Sequence, residues 1–166
     1  MKELTETDLL RKMAAYCASS EHCAQEVRTK LNNSGLTEEA TERILSRLQA
    51  DGFLDEARFC QAFVNDKLRF NQWGRIKIGY ELQRRQIPEA RIQEALSEID
   101  EETYQEVLQK VLKTKMSSIK AKDDREFVLK LMRFAAGRGF ESQEVNQCLK
   151  QLFQADDEEP MDPTVD

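Results

Sequence analysis

Apolar residues recur at helical spacing along most of the chain. Leu9, Met13, Tyr16 and Cys17 fall on one face of a helix, as do Phe59, Phe63, Val64 and Leu68, and again Tyr104, Val107, Leu108, Val111 and Leu112, because positions three and four apart stack along one side. No segment alternates apolar and polar residues as a half-buried strand does. The pattern also repeats. Val27-x-x-x-Leu31-x-x-x-Gly35-Leu36 aligns with Ile78-x-x-x-Leu82-x-x-x-Gln86-Ile87 and with Leu131-x-x-x-Ala135-x-x-x-Gly139-Phe140, at spacings of 51 and 53 residues. Without a gap, Ile44, Leu45 and Leu48 then align with Ala95, Leu96 and Ile99 and with Cys148, Leu149 and Leu152.

Each copy reads as three helices, the second and third joined by a turn at Gly35, Gln86 or Gly139. Glycine takes the left-handed conformation that ends a helix without steric cost. Thr37 and Ser142 are N-cap candidates followed by acidic residues, Asp55 is a cap for the helix opening the second copy, and Gly52 closes the last helix of the first. Pro88 suits a first helical turn, where a missing amide hydrogen does no harm. A three-helix unit cannot bury its stripe alone, so neighbouring copies must stack. The predicted fold is all-α, an elongated, curved array of three tandem three-helix repeats at residues 1–53, 54–100 and 101–153. Residues 154–166 hold six carboxylates, no base and two prolines and are expected to be a disordered acidic tail.

Composition narrows the function classes. The longest apolar runs fall far short of the roughly 18 residues of a membrane span, and no secretory signal is visible, which predicts a cytosolic protein. Cys17, Cys23, Cys60 and Cys148 lack paired spacing and read as reduced, buried or half-buried thiols. A zinc site at Cys17, His22 and Cys23 would lack its second ligand pair. With one histidine, no phosphate-binding glycine loop and no nucleophile set, nothing resembles an active site. No enzyme, cofactor or metal is expected.

The formal charge of −6 conceals segregation. Residues 58–91 carry eight basic and three acidic side chains, residues 110–138 nine and three, and the remainder a net −17. Clustered cations create a local potential that net charge does not report. Lys67, Arg69, Arg75, Lys77, Arg84 and Arg85 are therefore the first candidate contact set, and Lys110, Lys113, Lys115, Lys120, Lys122, Arg125 and Lys130 a secondary basic segment. Arg75 stands at a helix start, against the helix dipole, for which a functional use is one explanation. Phe70 and Trp73, flanking a loop, read as a staple closing one helix on the next; exposed, they would be contact anchors.

The segment from Gly52 through Leu54, Asp55, Ala57, Phe59, Ala62 and Phe63, followed by Gly74-x-x-x-Ile78-x-x-Glu81-Leu82-x-x-x-Gln86-Ile87, resembles the centre of the RecX regulatory family. The resemblance covers roughly residues 8–153. Gln86 stands where the family turn has glycine, Val27 replaces a leucine in the first copy, residues 18–23 lack the common arginines, and the third copy diverges most. The family resemblance implies a non-enzymatic modulator of RecA recombinase, and a monomer is expected. It would bind in the groove of the RecA filament on single-stranded DNA, inhibit ATPase, coprotease and strand-exchange activities, and favour filament shortening. The residues themselves leave two alternatives open, a free-standing nucleic-acid-binding helical repeat and a scaffold that binds only protein.

Overall fold

A computed structural model describes the backbone of residues 5–157 and the side chains of residues 5–154. Among the described residues there are nine α-helices and no strand, in agreement with the all-α expectation: α1 Glu6–Ser19, α2 Ala24–Asn33, α3 Glu38–Ala50, α4 Glu56–Arg69, α5 Arg75–Arg84, α6 Glu89–Ser97, α7 Glu101–Met116, α8 Asp124–Gly137 and α9 Ser142–Asp157.

Local side-chain chemistry sets the helix starts. Thr5 and Asp8 form a reciprocal capping box on α1, Thr37 accepts from the Ala40 amide at 3.2 Å, and Asp55 accepts from the Arg58 amide at 2.9 Å. Asp100 and Asp123 cap α7 and α8 in the same way. Each such cap satisfies an amide that the helix leaves without a partner and contributes about 1 kcal/mol. Two expected starts move by one residue. Ser142 is the first residue of α9 rather than its cap, because Glu141 carries the preceding carbonyl that accepts from the Val145 amide. Pro88 is itself the N-cap of α6, at φ −60° and ψ 144°, where its lack of an amide hydrogen is equally harmless.

The three aligned turns share one geometry. Gly35, Gln86 and Gly139 have φ of 78°, 62° and 91°. Each donates to the carbonyl three residues back, and the following Leu36, Ile87 and Phe140 donate to the carbonyl five back, at 3.4, 3.2 and 3.1 Å. This is the paired bonding that closes a helix on a left-handed residue. Gln86 holds it without being glycine, at a steric cost of about 1–2 kcal/mol.

The chain divides into two compact units. Met1–Asn65 and Gly79–Glu98 form the first, Asp66–Ile78 and Ile99–Asp166 the second. This partition runs through α4 and α5, so the middle sequence copy contributes to both units. In the first, α1 and α2 pack on α3 around Leu9, Met13, Cys17, Val27, Leu31, Ile44, Leu45, Leu48 and Leu54. In the second, α7, α8 and α9 pack on one another and bury Tyr104, Leu108, Leu112, Leu131, Ala135, Phe140 and Leu149. Each large apolar side chain removed from water contributes about 1.5–3 kcal/mol. Tyr16, Phe63 and Val107, expected in the core, are half-buried.

All four cysteines are buried and unpaired, as the sequence suggested. Burial pushes the Cys23 and Cys60 thiols up to about 11, so both stay protonated at neutral pH. The backbone of α9 continues to Asp157, into the segment expected to be a disordered tail. The rest of that segment, residues 158–166, lies outside the described residues.

Candidate interaction surface

Within the second unit, Trp73 gathers two of the candidate cations. The Lys67 ammonium lies 4.9 Å and the Lys77 ammonium 4.6 Å from the indole centroid, a contact in which the ring quadrupole attracts the charge. Phe70, one helical turn after Lys67, is 81% exposed. The staple expected of Phe70 is therefore not formed, because the chain leaves α4 with that ring on the solvent side. Trp73 is half-buried. Arg69 is exposed at the end of α4, where it adds to the depression of the Asp100 carboxyl, which is set first by hydrogen bonds from Thr103.

The loop carrying Phe70 is pinned on several sides. Its Trp73 amide donates to the Lys67 carbonyl at 3.0 Å and its Gly74 amide to the Arg138 carbonyl at 2.8 Å. The Arg138 guanidinium returns a bond to the Asn71 carbonyl at 3.0 Å. Gln72 takes φ 57°, a conformation that non-glycine residues adopt only where the surroundings hold it. The turn between α8 and α9 approaches so closely that a Cβ on Gly74 would lie 2.4 Å from the Gly139 carbonyl oxygen, and one on Gly139 2.3 Å from Lys77 Cβ.

Arg75 has a structural partner set. Its amide donates to the Tyr104 hydroxyl at 3.1 Å, while the neighbouring Ile76 amide donates to the Gly139 carbonyl at 3.0 Å. With the Gly74 bond, three consecutive amides at the start of α5 find acceptors on α7 and the α8–α9 turn, which answers the need of an open helix N-terminus. The Arg75 guanidinium pairs with Glu141 at 2.9 Å and also with Glu101, and its carbon lies 3.9 Å from the Tyr104 centroid. Tyr104 in turn donates to Glu141. Burial, and then that donation, hold the phenol protonated well above its ordinary range. A cation placed against the helix dipole is thus compensated by two carboxylates and a ring. Glu101 and Glu141 escaped sequence reasoning because they lie 26 and 66 residues from their partner, and Tyr104 read only as part of an apolar helix face.

Arg84 and Arg85 fall in the first unit. Arg85 donates to the Glu81 carbonyl at 3.0 Å and carboxylate at 3.1 Å, lies 3.7 Å from Glu26 and stacks 4.8 Å from the Phe63 centroid. Burial raises the Glu81 carboxyl, but Arg85 and Arg84 outweigh it, leaving that group below its ordinary value. Arg84 is exposed and reaches Glu81 at 3.3 Å.

The secondary basic segment lies in the second unit. Lys110 and Lys113 project from the exposed side of α7, one turn apart, and Lys120, Lys122 and Arg125 are exposed. Lys115 lies over the Phe134 ring at 4.7 Å. Lys130 is engaged locally, donating to the Lys120 carbonyl at 2.6 Å and pairing with Glu126 at 3.1 Å.

Comparison with known proteins decides the family. A family model described as the second three-helix domain of RecX matches residues 55–96, and one for the third matches residues 102–149. The chain is 34% identical over 144 residues to Regulatory protein RecX of Prosthecochloris aestuarii, covering 87% of this chain and 93% of that protein.

The chain belongs to the RecX family.

The like-named protein of Chlorobium phaeobacteroides is 34% identical over 135 residues, covering 81% of this chain and 87% of its own length. Among solved structures, RecX from Lactobacillus salivarius superimposes with a TM-score of 0.81 at 14% identity, over 90% of this chain and 97% of that one. Another structure of regulatory protein RecX gives 0.79 at 19%, over 87% and 71%. The two matched RecX domains contain every residue of both candidate sets. No helix among the described residues is long and apolar enough to cross a membrane.

Proposed function

We propose that this RecX-family chain is a non-enzymatic regulator of a RecA recombinase filament, binding in the filament groove on single-stranded DNA and inhibiting ATP hydrolysis, coprotease activity and strand exchange. Family membership carries the reading, since the relatives bear the name regulatory protein. The cationic surface of the second unit supports it: Lys67, Arg69 and Lys77 on one segment, with Lys110, Lys113, Lys120, Lys122 and Arg125 on another, suit a polyanionic partner. In this reading Arg75 positions α5 and Arg85 holds the first unit together, so neither serves chiefly as a contact. The protein acts as a monomer in the cytoplasm and takes no cofactor.

The experiment is DNA-dependent ATP hydrolysis by RecA with increasing amounts of this protein. A dose-dependent fall supports the proposal, and an unchanged rate at saturating protein contradicts it. The runner-up, a nucleic-acid binder acting without RecA, predicts tight, steeply salt-dependent binding to duplex DNA alone.

A further inference from the structure

We propose that Phe70 is a stacking platform for one base of single-stranded nucleic acid, with the Lys67 and Lys77 ammoniums receiving the adjoining phosphate. Three observations converge. Phe70 is 81% exposed on a loop held by hydrogen bonds from Trp73, Gly74 and Arg138 and by the left-handed Gln72, so the ring is presented rather than left loose. Lys67 sits three residues earlier on the same helical run, continued by the bond from the Phe70 amide to the Asp66 carbonyl at 2.9 Å. That spacing makes the two side chains neighbours, about 5–6 Å apart at Cβ. Trp73 collects Lys67 and Lys77 on its ring, so the cation neighbouring Phe70 along the helical run shares its indole with a second one.

A flat apolar face next to paired ammoniums matches the two parts of a nucleotide, a base with an open π-face and a charged phosphate. Duplex DNA offers no such face, because its bases are covered by their neighbours. An apolar pocket of a protein is the other occupant for an exposed phenyl. The immediate neighbours of Phe70 are Arg69 and Asn71, however, and beside the compensated Arg75 the segment 66–78 carries Lys67, Arg69 and Lys77 against one carboxylate, Asp66, a setting that favours the polyanion. The inference deepens the proposed function by naming what the surface touches on the DNA, yet the contact itself requires no RecA.

The test titrates the protein, without RecA, with a thymidine oligonucleotide, an abasic oligonucleotide of equal length and charge, and a duplex. Fluorescence of Trp73, the one tryptophan of the chain, and anisotropy of labelled DNA report binding. The normal chain is expected to prefer the thymidine tract to the abasic one. Phe70→Leu, apolar but without a π-face, should weaken thymidine-tract binding roughly 5- to 100-fold, leave abasic binding unchanged and erase the preference. Phe70→Tyr should restore it. Because the ring is exposed, equal helicity and melting are expected for all three chains. Equal binding of both single strands by the normal chain, or unaltered binding by Phe70→Leu, overturns the proposal. So does a Phe70→Leu chain that binds DNA normally but no longer inhibits RecA, which would make Phe70 a protein anchor. Failure of the normal chain to inhibit RecA while the base preference persists would overturn the filament reading instead and leave the platform standing.

Discussion

The two compact units differ in the kind of cation they carry and in how much of it is held by carboxylates. The first carries eleven basic and fifteen acidic side chains, and eight of its cations are arginines; the second, through residue 154, carries fourteen and ten, and nine of its cations are lysines. In the first, Arg28, Arg43, Arg47, Arg58, Arg84, Arg85 and Arg91 all meet carboxylates within the unit. In the second, Arg75 and Lys130 are engaged by carboxylates, and Lys67, Lys77, Lys115 and Arg138 lie against aromatic rings, as Lys30 and Arg85 do in the first. The planar guanidinium suits fixed pairs, and the flexible, hydrated ammonium suits an adaptable surface for an anionic partner. A count of cations along a sequence therefore overstates the first unit as a binding surface and understates the second.

The sharpest way to break the second unit without touching its charge is Gly139→Ala. A Cβ there has no room against Lys77 and sits at φ 91°, so the turn must lift off the start of α5. A loss of about 3 kcal/mol or more is expected from clash and backbone strain together. Gly35→Ala, the aligned change in the first unit, meets nothing within 4 Å and should cost only about 1–2 kcal/mol. Urea denaturation of both variants measures the difference, and equal losses would deny the close approach its role.

Tyr104→Phe comes next. It leaves the Arg75 amide and one Glu141 oxygen without their partner, which should cost about 1–3 kcal/mol. Its loss in urea should fall between those of the two glycine variants.

Gln86→Gly acts in the opposite direction. It relieves a left-handed non-glycine residue at an exposed turn, and a gain of up to about 1 kcal/mol is expected after the extra flexibility that glycine gives the unfolded chain. A melting temperature unchanged or lowered would show that the Gln86 side chain makes up for the strain.

The smallest effect concerns charge alone. Replacing the carboxylates at Asp156, Asp157, Glu158, Glu159, Asp162 and Asp166 by amides should tighten single-stranded DNA binding at low salt and change little at high salt, since competition by acidic groups is screened. Unaltered low-salt binding would separate those residues from the cationic surface.

Much of the fold was legible because its causes are local. Apolar spacing located the helices, Thr37 and Asp55 announced two helix starts, and the aligned position of Gln86 foretold its turn despite the missing glycine. The candidate site was legible only in part. Lys67 and Lys77 share Trp73 within one short segment, so their meeting is encoded by near neighbours. Arg75 looked functional because its dipole position is unfavourable in isolation, and its compensation by Glu101 and Glu141 arises from remote parts of the chain. The exposure of Phe70 likewise depends on how the loop leaves α4, which aromatic character alone does not specify.

The central claim is that the cations of the second unit, rather than those of the first, face the partner. RecA ATP hydrolysis on single-stranded DNA should be compared for the normal chain, a Lys67→Glu, Lys77→Glu, Lys110→Glu, Lys113→Glu chain, and an Arg85→Glu chain, each checked for helicity. The fourfold variant is expected to lose most inhibition and to show a weaker salt dependence. Arg85→Glu should lower stability by about 1–3 kcal/mol through its lost hydrogen bonds yet inhibit normally while folded. Full inhibition by the fourfold variant, with loss in Arg85→Glu at equal helicity, would contradict the account.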